Sequence, residues 1–119
     1  MEKQNKLVQA IVDGLQDKKG RDIVVADLTS IPDTVCNYFV ICTGGSPSQI
    51  NALAHSVGES CRTKASIKPL AVDGLHNAEW VAMDYADVIV HIFLPEPRAF
   101  YDIEHLWADA DIQLIPNLD

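Results

Sequence analysis

The residues whose types and spacing could do chemistry are Thr43-Gly44-Gly45-Ser46-Pro47-Ser48. A glycine-rich turn between a strand and a helix can cradle a phosphate, because free backbone N–H groups and the helix dipole converge there. The segment has no Lys of the Walker A kind and does not match GxGxxG. It is therefore either an anion-binding turn at Gly44 to Ser48 or a tight turn ahead of a capped helix. A strand, a Gly-Ser turn and a helix also open the nucleotidyltransferase pattern, whose chemistry needs paired carboxylates on the following strand to hold two divalent metals. Residues 67–72 (IKPLAV) supply none, and Asp84 and Asp87 come later and flank a chain reversal.

Other reactive groupings are equally incomplete. Ser46 is not in a GxSxG elbow, and a capping role accounts for it. His55, His76, His91 and His105 show neither HxxxH nor HExxH spacing, so no zinc site is expected. His91 lies in an apolar run and fits a satisfied core histidine better than a base. Cys36, Cys42 and Cys61 are odd in number and lack CxxC spacing, as expected of small buried hydrophobes in a reducing compartment. Glu96, Asp102, Glu104, Asp109 and Asp111 read as a solvated acidic surface. No catalytic residue, cofactor or metal is expected.

The elements that would position these residues follow from periodicity. Leu7, Val8, Ile11, Val12 and Leu15 recur at helical spacing over residues 4–18, and Gly20 is a natural residue to end that helix. Residues 23–28 (IVVADL) and 38–43 (YFVICT) read as strands, the second apolar enough to be central. Ser46, Pro47 and Gln49 make a capping box, and Ile50, Leu53, Ala54, Val57 and Cys61 form the buried stripe of a helix running to about residue 64. Residues 68–72 read as a third strand, with Pro69 either making it an edge strand or lying near its start. The crossover helix favours parallel pairing of the second and third strands. Residues 79–94 add an antiparallel pair of strands reversing at Tyr85-Ala86. Pro97 then opens a helix whose apolar side is Phe100, Ile103, Leu106 and Trp107. Residues 109–119 read as an irregular or docked tail. The expectation is a single α/β domain over residues 1–119, with a mixed five-stranded sheet flanked by helices.

Within the pair of strands, Trp80, Ala82 and Asp84 alternate with Val81, Met83 and Tyr85. The large groups cannot all face one way. They either contribute to a protein-binding patch beside Glu79, Asp84 and Asp87 or are buried by helices on both faces. The formal net charge of −8 argues against binding nucleic-acid phosphate directly and suits a basic partner. Without an apolar signal core or a membrane-length apolar run, a soluble cytoplasmic protein is expected, although an organelle protein shorn of its transit peptide would look similar.

The run NYFVICTGGSPSQ, followed after a loop by EWVAMDYADVIVHIFLPEPRAFYDIEHLW, closely resembles the ribosomal silencing factor family, also called Iojap or RsfS. The resemblance extends from the first helix through Trp107. Asn37 stands where the family usually has Asp, which weakens any catalytic use of that position. Ala86 stands where Gly is usual, implying a reversal that does not require positive φ.

The resemblance implies a translation regulator and not an enzyme, with a nucleotidyltransferase-like core lacking catalytic carboxylates. Members bind the large ribosomal subunit at ribosomal protein fourteen, sterically prevent joining of the small subunit and lower translation when nutrients are scarce. They are commonly homodimers. On this reading Trp80, Met83, Asp84, Tyr85 and Asp87 form the partner-binding surface, with Thr43, Gly44 and Ser46 as a second contributor. The alternative is a nucleotide-binding or residual nucleotidyltransferase-like protein using the Gly44 to Ser48 turn.

Overall fold

Leu7, Ala10, Ile11 and Leu15 share one face of a helix by their spacing, and all are buried on α1 (Glu2–Asp17) in the computed structural model of the chain. The structure describes residues 2–34, 36–103 and 110–117. After α1 come β1 (Arg21–Asp27), β2 (Tyr38–Thr43), α2 (Pro47–Ala65), β3 (Ala71–Asp73), β4 (Trp80–Asp84), β5 (Val88–Phe93), α3 (Pro95–Tyr101) and β6 (Asp111–Ile115). The strands form one mixed sheet in the order β3-β4-β5-β2-β1-β6. β2 and β5 run parallel, and every other neighbouring pair is antiparallel.

The α/β class and the mixed sheet match expectation, while the strand count and one pairing do not. Among the described residues the sheet has six strands, because part of the expected tail pairs with β1, Ile23 opposite Ile115 and Asp27 opposite Asp111. That strand is held at its end by Asn117, whose Oδ1 accepts from the Asp22 N–H at 2.8 Å. The parallel partner of β2 is β5, not the third strand, which lies at the edge and pairs only with β4. Central placement explains the choice: β2 and β5 are the most apolar strands, and side by side each is shielded on both edges.

α1 and α2 cover one face of the sheet, packed closely against each other. A Cβ on Gly14 would lie 2.9 Å from the Ser56 carbonyl oxygen, so only glycine permits this approach. At the same contact Ser56 Oγ donates to the Gly14 carbonyl at 2.7 Å and Ser60 Oγ to that of Ala10 at 2.6 Å. Gly20 has a different role from the one expected. Lys19 takes the left-handed conformation (φ 59°), while Gly20 makes room for Cys42 Sγ, which a Cβ would meet at 2.5 Å.

The opposite face carries its own apolar cluster, with Val24, Ala26, Leu28, Cys36, Phe39, Ile41 and Phe93 buried and Ile31, Trp80, Ile89, Ile103 and Ala110 packed around them. α3 begins at Pro95, two residues earlier than expected, and ends where Asp102 turns left-handed (φ 47°). Phe100 is 80% exposed and so is not on a buried stripe. Leu106 and Trp107, expected on that stripe, and His105 lie outside the described residues. Among the described residues no helix is long and apolar enough to cross a membrane.

Candidate functional site

β4 alternates strictly, and its alternation divides the residues singled out in the sequence. Met83 and Tyr85 are 3% and 5% exposed and join Val81 in the core under α2. They are not surface residues of this fold, because α1 and α2 cover the face they point to. Trp80, Ala82 and Asp84 point to the other face and are partly exposed.

Register then separates the remaining residues along the strand. Trp80 lies opposite Phe93, and Phe93 lies beside Thr43 across the parallel pairing. The Gly44 N–H donates to the Phe93 carbonyl at 2.9 Å, which brings Trp80, Thr43, Gly44 and Ser46 to one end of the sheet. Asp84 lies at the other end, opposite Ile89, with Asp87 in the reversal. Four residues of strand, about 13 Å, separate Trp80 from Asp84.

At the Trp80 end the aromatic side chains are ordered in a ladder. The Trp80 ring stacks on Phe93 (centroids 5.0 Å, planes 26° apart) and meets Tyr101 at 4.7 Å, and Phe100 stands edge-on to Tyr101 at 5.1 Å and 87°. Trp80 Nε1–H donates to His91 Nδ1 at 3.0 Å, and Phe39 packs edge-on to the same imidazole at 5.2 Å. Burial lowers the His91 pKa to about 4, so the ring is neutral at physiological pH. An imidazole that accepts at Nδ1 and stays neutral serves here as a structural bracket for Trp80. The thiols are inert for a related reason: burial pushes Cys36 up to about 11 and Cys42 up to about 12.

Three backbone donors of the glycine turn are already engaged. Ser46 caps α2, its Oγ accepting from the Gln49 N–H at 3.2 Å. Gln49 Oε1 accepts from the Gly45 N–H at 2.6 Å, one residue before the cap, and its Nε2 donates to the carbonyls of Lys18 and Lys19 at 3.2 and 3.3 Å. With Pro47 carrying no N–H, and those of Gly44, Gly45 and Gln49 engaged, the turn acts as a joint between the end of α1 and the start of α2. The buried Gly44 also packs tightly, since a Cβ would lie 2.9 Å from Ile50 Cδ1. With these donors engaged, the turn offers fewer N–H groups to a phosphate than an open glycine-rich loop would. Among the described residues no three His, Cys, Asp or Glu side chains come together as a metal ion would require.

Between β4 and α3 lies a groove of about 1000 Å³ lined by Glu79, Trp80, Pro95, Glu96, Phe100 and Tyr101 among others. Its α3 wall is anchored by Arg98, whose Nη1 donates to Thr43 Oγ1 at 2.8 Å and to the Asp22 carbonyl at 2.6 Å. Thr43 therefore acts through α3. Phe100 and Tyr101 are the residues that sequence reasoning missed as surface groups. The sign was the adjacent Phe-Tyr pair two residues after Pro-Glu-Pro, since two neighbouring rings on so short a helix cannot both be buried by one stripe.

The chain matches over residues 1–119 the family model described as ribosomal silencing factor during starvation. It is similar to the ribosomal silencing factor RsfS of Halalkalibacterium halodurans, 35% identical over 104 residues that cover 87% of each chain. A crystal structure of a Chromobacterium violaceum protein has the same fold, with a TM-score of 0.83 and 35% identity over 91% of this chain and 88% of that one. A mouse protein named Mitochondrial assembly of ribosomal large subunit protein 1 is 28% identical over 107 residues, 84% of this chain and 44% of that protein.

Proposed function

The chain belongs to the ribosomal silencing factor (RsfS, Iojap) family, and from that premise we propose that it binds the large ribosomal subunit at ribosomal protein fourteen and blocks joining of the small subunit. The observation that carries this reading is the aromatic, acid-bordered surface at the Trp80 end of the sheet, on a chain of net charge −8. Ribosomal proteins are commonly basic, and opposite charge speeds encounter and orients docking. Rigid aromatic anchors then supply affinity at small entropic cost.

Repression of this kind works by occupancy. The bound factor stands where the small subunit must approach, and translation falls when nutrients are scarce without any turnover. The family is not one of known enzymes. In this reading Trp80 is the central contact, with Thr43 and Ser46 beside it and Asp84 and Asp87 adding acidic charge from the far end. Gly44, Met83 and Tyr85 act as buried support for that surface. A cytoplasmic homodimer is the form in which the factor acts, and sedimentation equilibrium tests that part.

Co-sedimentation with isolated subunits tests the whole. The chain should travel with large subunits and not with small ones, and inhibition of subunit joining should be stoichiometric with bound factor. Inhibition at strongly substoichiometric amounts would mean a catalytic mode and would sink the reading. Trp80→Ala should weaken binding, and a folded Trp80→Ala chain that binds normally would place the contact elsewhere.

A further inference from the structure

Phe100 and Tyr101 present open ring surface beside two carboxylates, which fold stability alone does not require. We propose that the groove between β4 and α3 takes up the cationic side chain of a basic protein segment, with Phe100 and Tyr101 as its aromatic walls and Glu79 and Glu96 as counter-charges. As regards the source of that segment, this inference rests on the large-subunit reading; the chemistry of the groove is separate from it.

Three features point to a cation. First, the faces of aromatic rings attract guanidinium and ammonium groups, and the perpendicular Phe100 and Tyr101 rings, 5.1 Å apart, make an angled corner open to solvent. Second, Glu96 is four residues before Phe100 on α3 and so lies on the same side of the helix, while Glu79 immediately precedes Trp80 across the groove. Among the described residues lining the groove there is no Lys or Arg to neutralise them. Third, the walls are already in place: Tyr101 leans on Trp80, Trp80 is fixed by Phe93 and His91, and Arg98 ties α3 to Thr43 and Asp22. A preformed site loses little side-chain entropy on binding. A purely apolar occupant would strip water from Glu79 and Glu96 without pairing them, and a phosphate would be repelled by both.

The test uses the full chain and the peptide Ac-Gly-Arg-Gly-NH2, with its uncharged citrulline counterpart as control. Millimolar titration with the Arg peptide should shift the Trp80 indole N–H and the Phe100 and Tyr101 ring resonances saturably, and the citrulline peptide should leave them in place. Equal shifts from both peptides, or larger ones from Ac-Gly-Leu-Gly-NH2, would overturn the inference in favour of an apolar occupant. Shifts of these resonances that track protein concentration without peptide would overturn it in favour of a second copy. On ribosomes, E79Q/E96Q and Y101A, all at exposed positions, should each bind large subunits about tenfold more weakly. Unchanged binding by both would remove the groove from the interface and leave large-subunit binding standing. If the unsubstituted chain fails to bind large subunits, the large-subunit reading falls, and the peptide titration alone decides the groove.

Discussion

Trp80 and His91 are joined by a 3.0 Å hydrogen bond from indole Nε1–H to imidazole Nδ1, made diagonally across β4 and β5, where Trp80 is opposite Phe93 and His91 is opposite Ala82. The bond needs an unprotonated Nδ1, so it couples the setting of an outward-facing tryptophan to the charge state of a histidine that is only 8% exposed.

That coupling gives a pH dependence with a definite sign. The His91 pKa is about 4 in the fold against an ordinary value of 6.5, because burial disfavours the charged ring. Above pH 6.5 the ring is neutral whether the chain is folded or not, and its contribution is fully present. Between pH 6.5 and about 4 the unfolded chain takes up a proton that the folded chain refuses, so stability falls through that window, by at most about 3 kcal/mol. Urea melts of His91→Asn, which offers an amide oxygen to the indole but cannot titrate, should show a shallower loss over the same range. A parallel loss in both chains would assign the slope to carboxylates.

Ala86 offers a stabilising substitution. Its φ is 69°, so the reversal after Tyr85 does use the left-handed region, contrary to what an alanine there suggests. The conformation is held by Asp84, whose Oδ1 accepts from the Ala86 N–H at 2.7 Å, and by the Tyr85 N–H to Val88 carbonyl bond at 2.9 Å. Ala86→Gly should raise stability by about 1 kcal/mol, visible as a higher Tm, with no change in ribosome binding. A lower Tm would show that loss of unfolded-state restriction outweighs the relieved strain.

What could be read from the sequence depended on how much of each element's surroundings its own residues encode. α1 and α2 carry a one-sided apolar stripe and β5 an almost unbroken apolar run, and all three lie within about two residues of expectation. β6 was illegible because an edge strand with mostly exposed residues has no burial alternation to display, and its pairing with β1 spans most of the chain. The partner of β2 was illegible for a similar reason, since a crossover helix fixes handedness and direction but not which strand it reaches. At the site, Phe100 and Ile103 mimic a continuing helical stripe. The left-handed Asp102 interrupts the helix between them, which frees Phe100 and turns Ile103 into the second core cluster.

Tyr85 tests whether β4 contributes its helix-covered face to binding. Its hydroxyl is buried with no N or O hydrogen-bond partner among the described residues and only the Cys61 thiol beside it, and burial holds its pKa well above the ordinary value. Removing an unsatisfied buried hydroxyl should cost nothing, so Tyr85→Phe should be neutral or up to about 1 kcal/mol more stable in denaturant melts. Large-subunit binding should be unchanged. Weaker binding by a stable Tyr85→Phe chain would show that the core face opens on the ribosome.

The glycine turn makes an equally sharp forecast. A nucleotide with magnesium, in large excess, should leave Tm unshifted, because a ligand that binds the folded state must raise it. Gln49→Ala frees the Gly45 N–H and cuts the links to the Lys18 and Lys19 carbonyls, so it should lower Tm without creating nucleotide binding. A rise in Tm with nucleotide in either chain would restore the turn as an anion site.

Thr43 lies beside the groove but does not line it, and its hydroxyl distinguishes a contact role from a positioning one. Arg98 Nη1 reaches both Thr43 Oγ1 and the Asp22 carbonyl, and so pins α3 against the ends of β1 and β2. A hydrogen bond to a charged donor contributes about 1.5–3 kcal/mol when partly shielded from water. Thr43→Val keeps the shape and removes the acceptor, and should loosen α3, shift the Phe100 and Tyr101 resonances and weaken large-subunit binding. Thr43→Ser restores the oxygen without the methyl group and should recover both readouts. If Thr43→Val leaves both readouts unchanged, the Thr43 hydroxyl does not position α3, and the Arg98 to Asp22 bond holds it without help from β2.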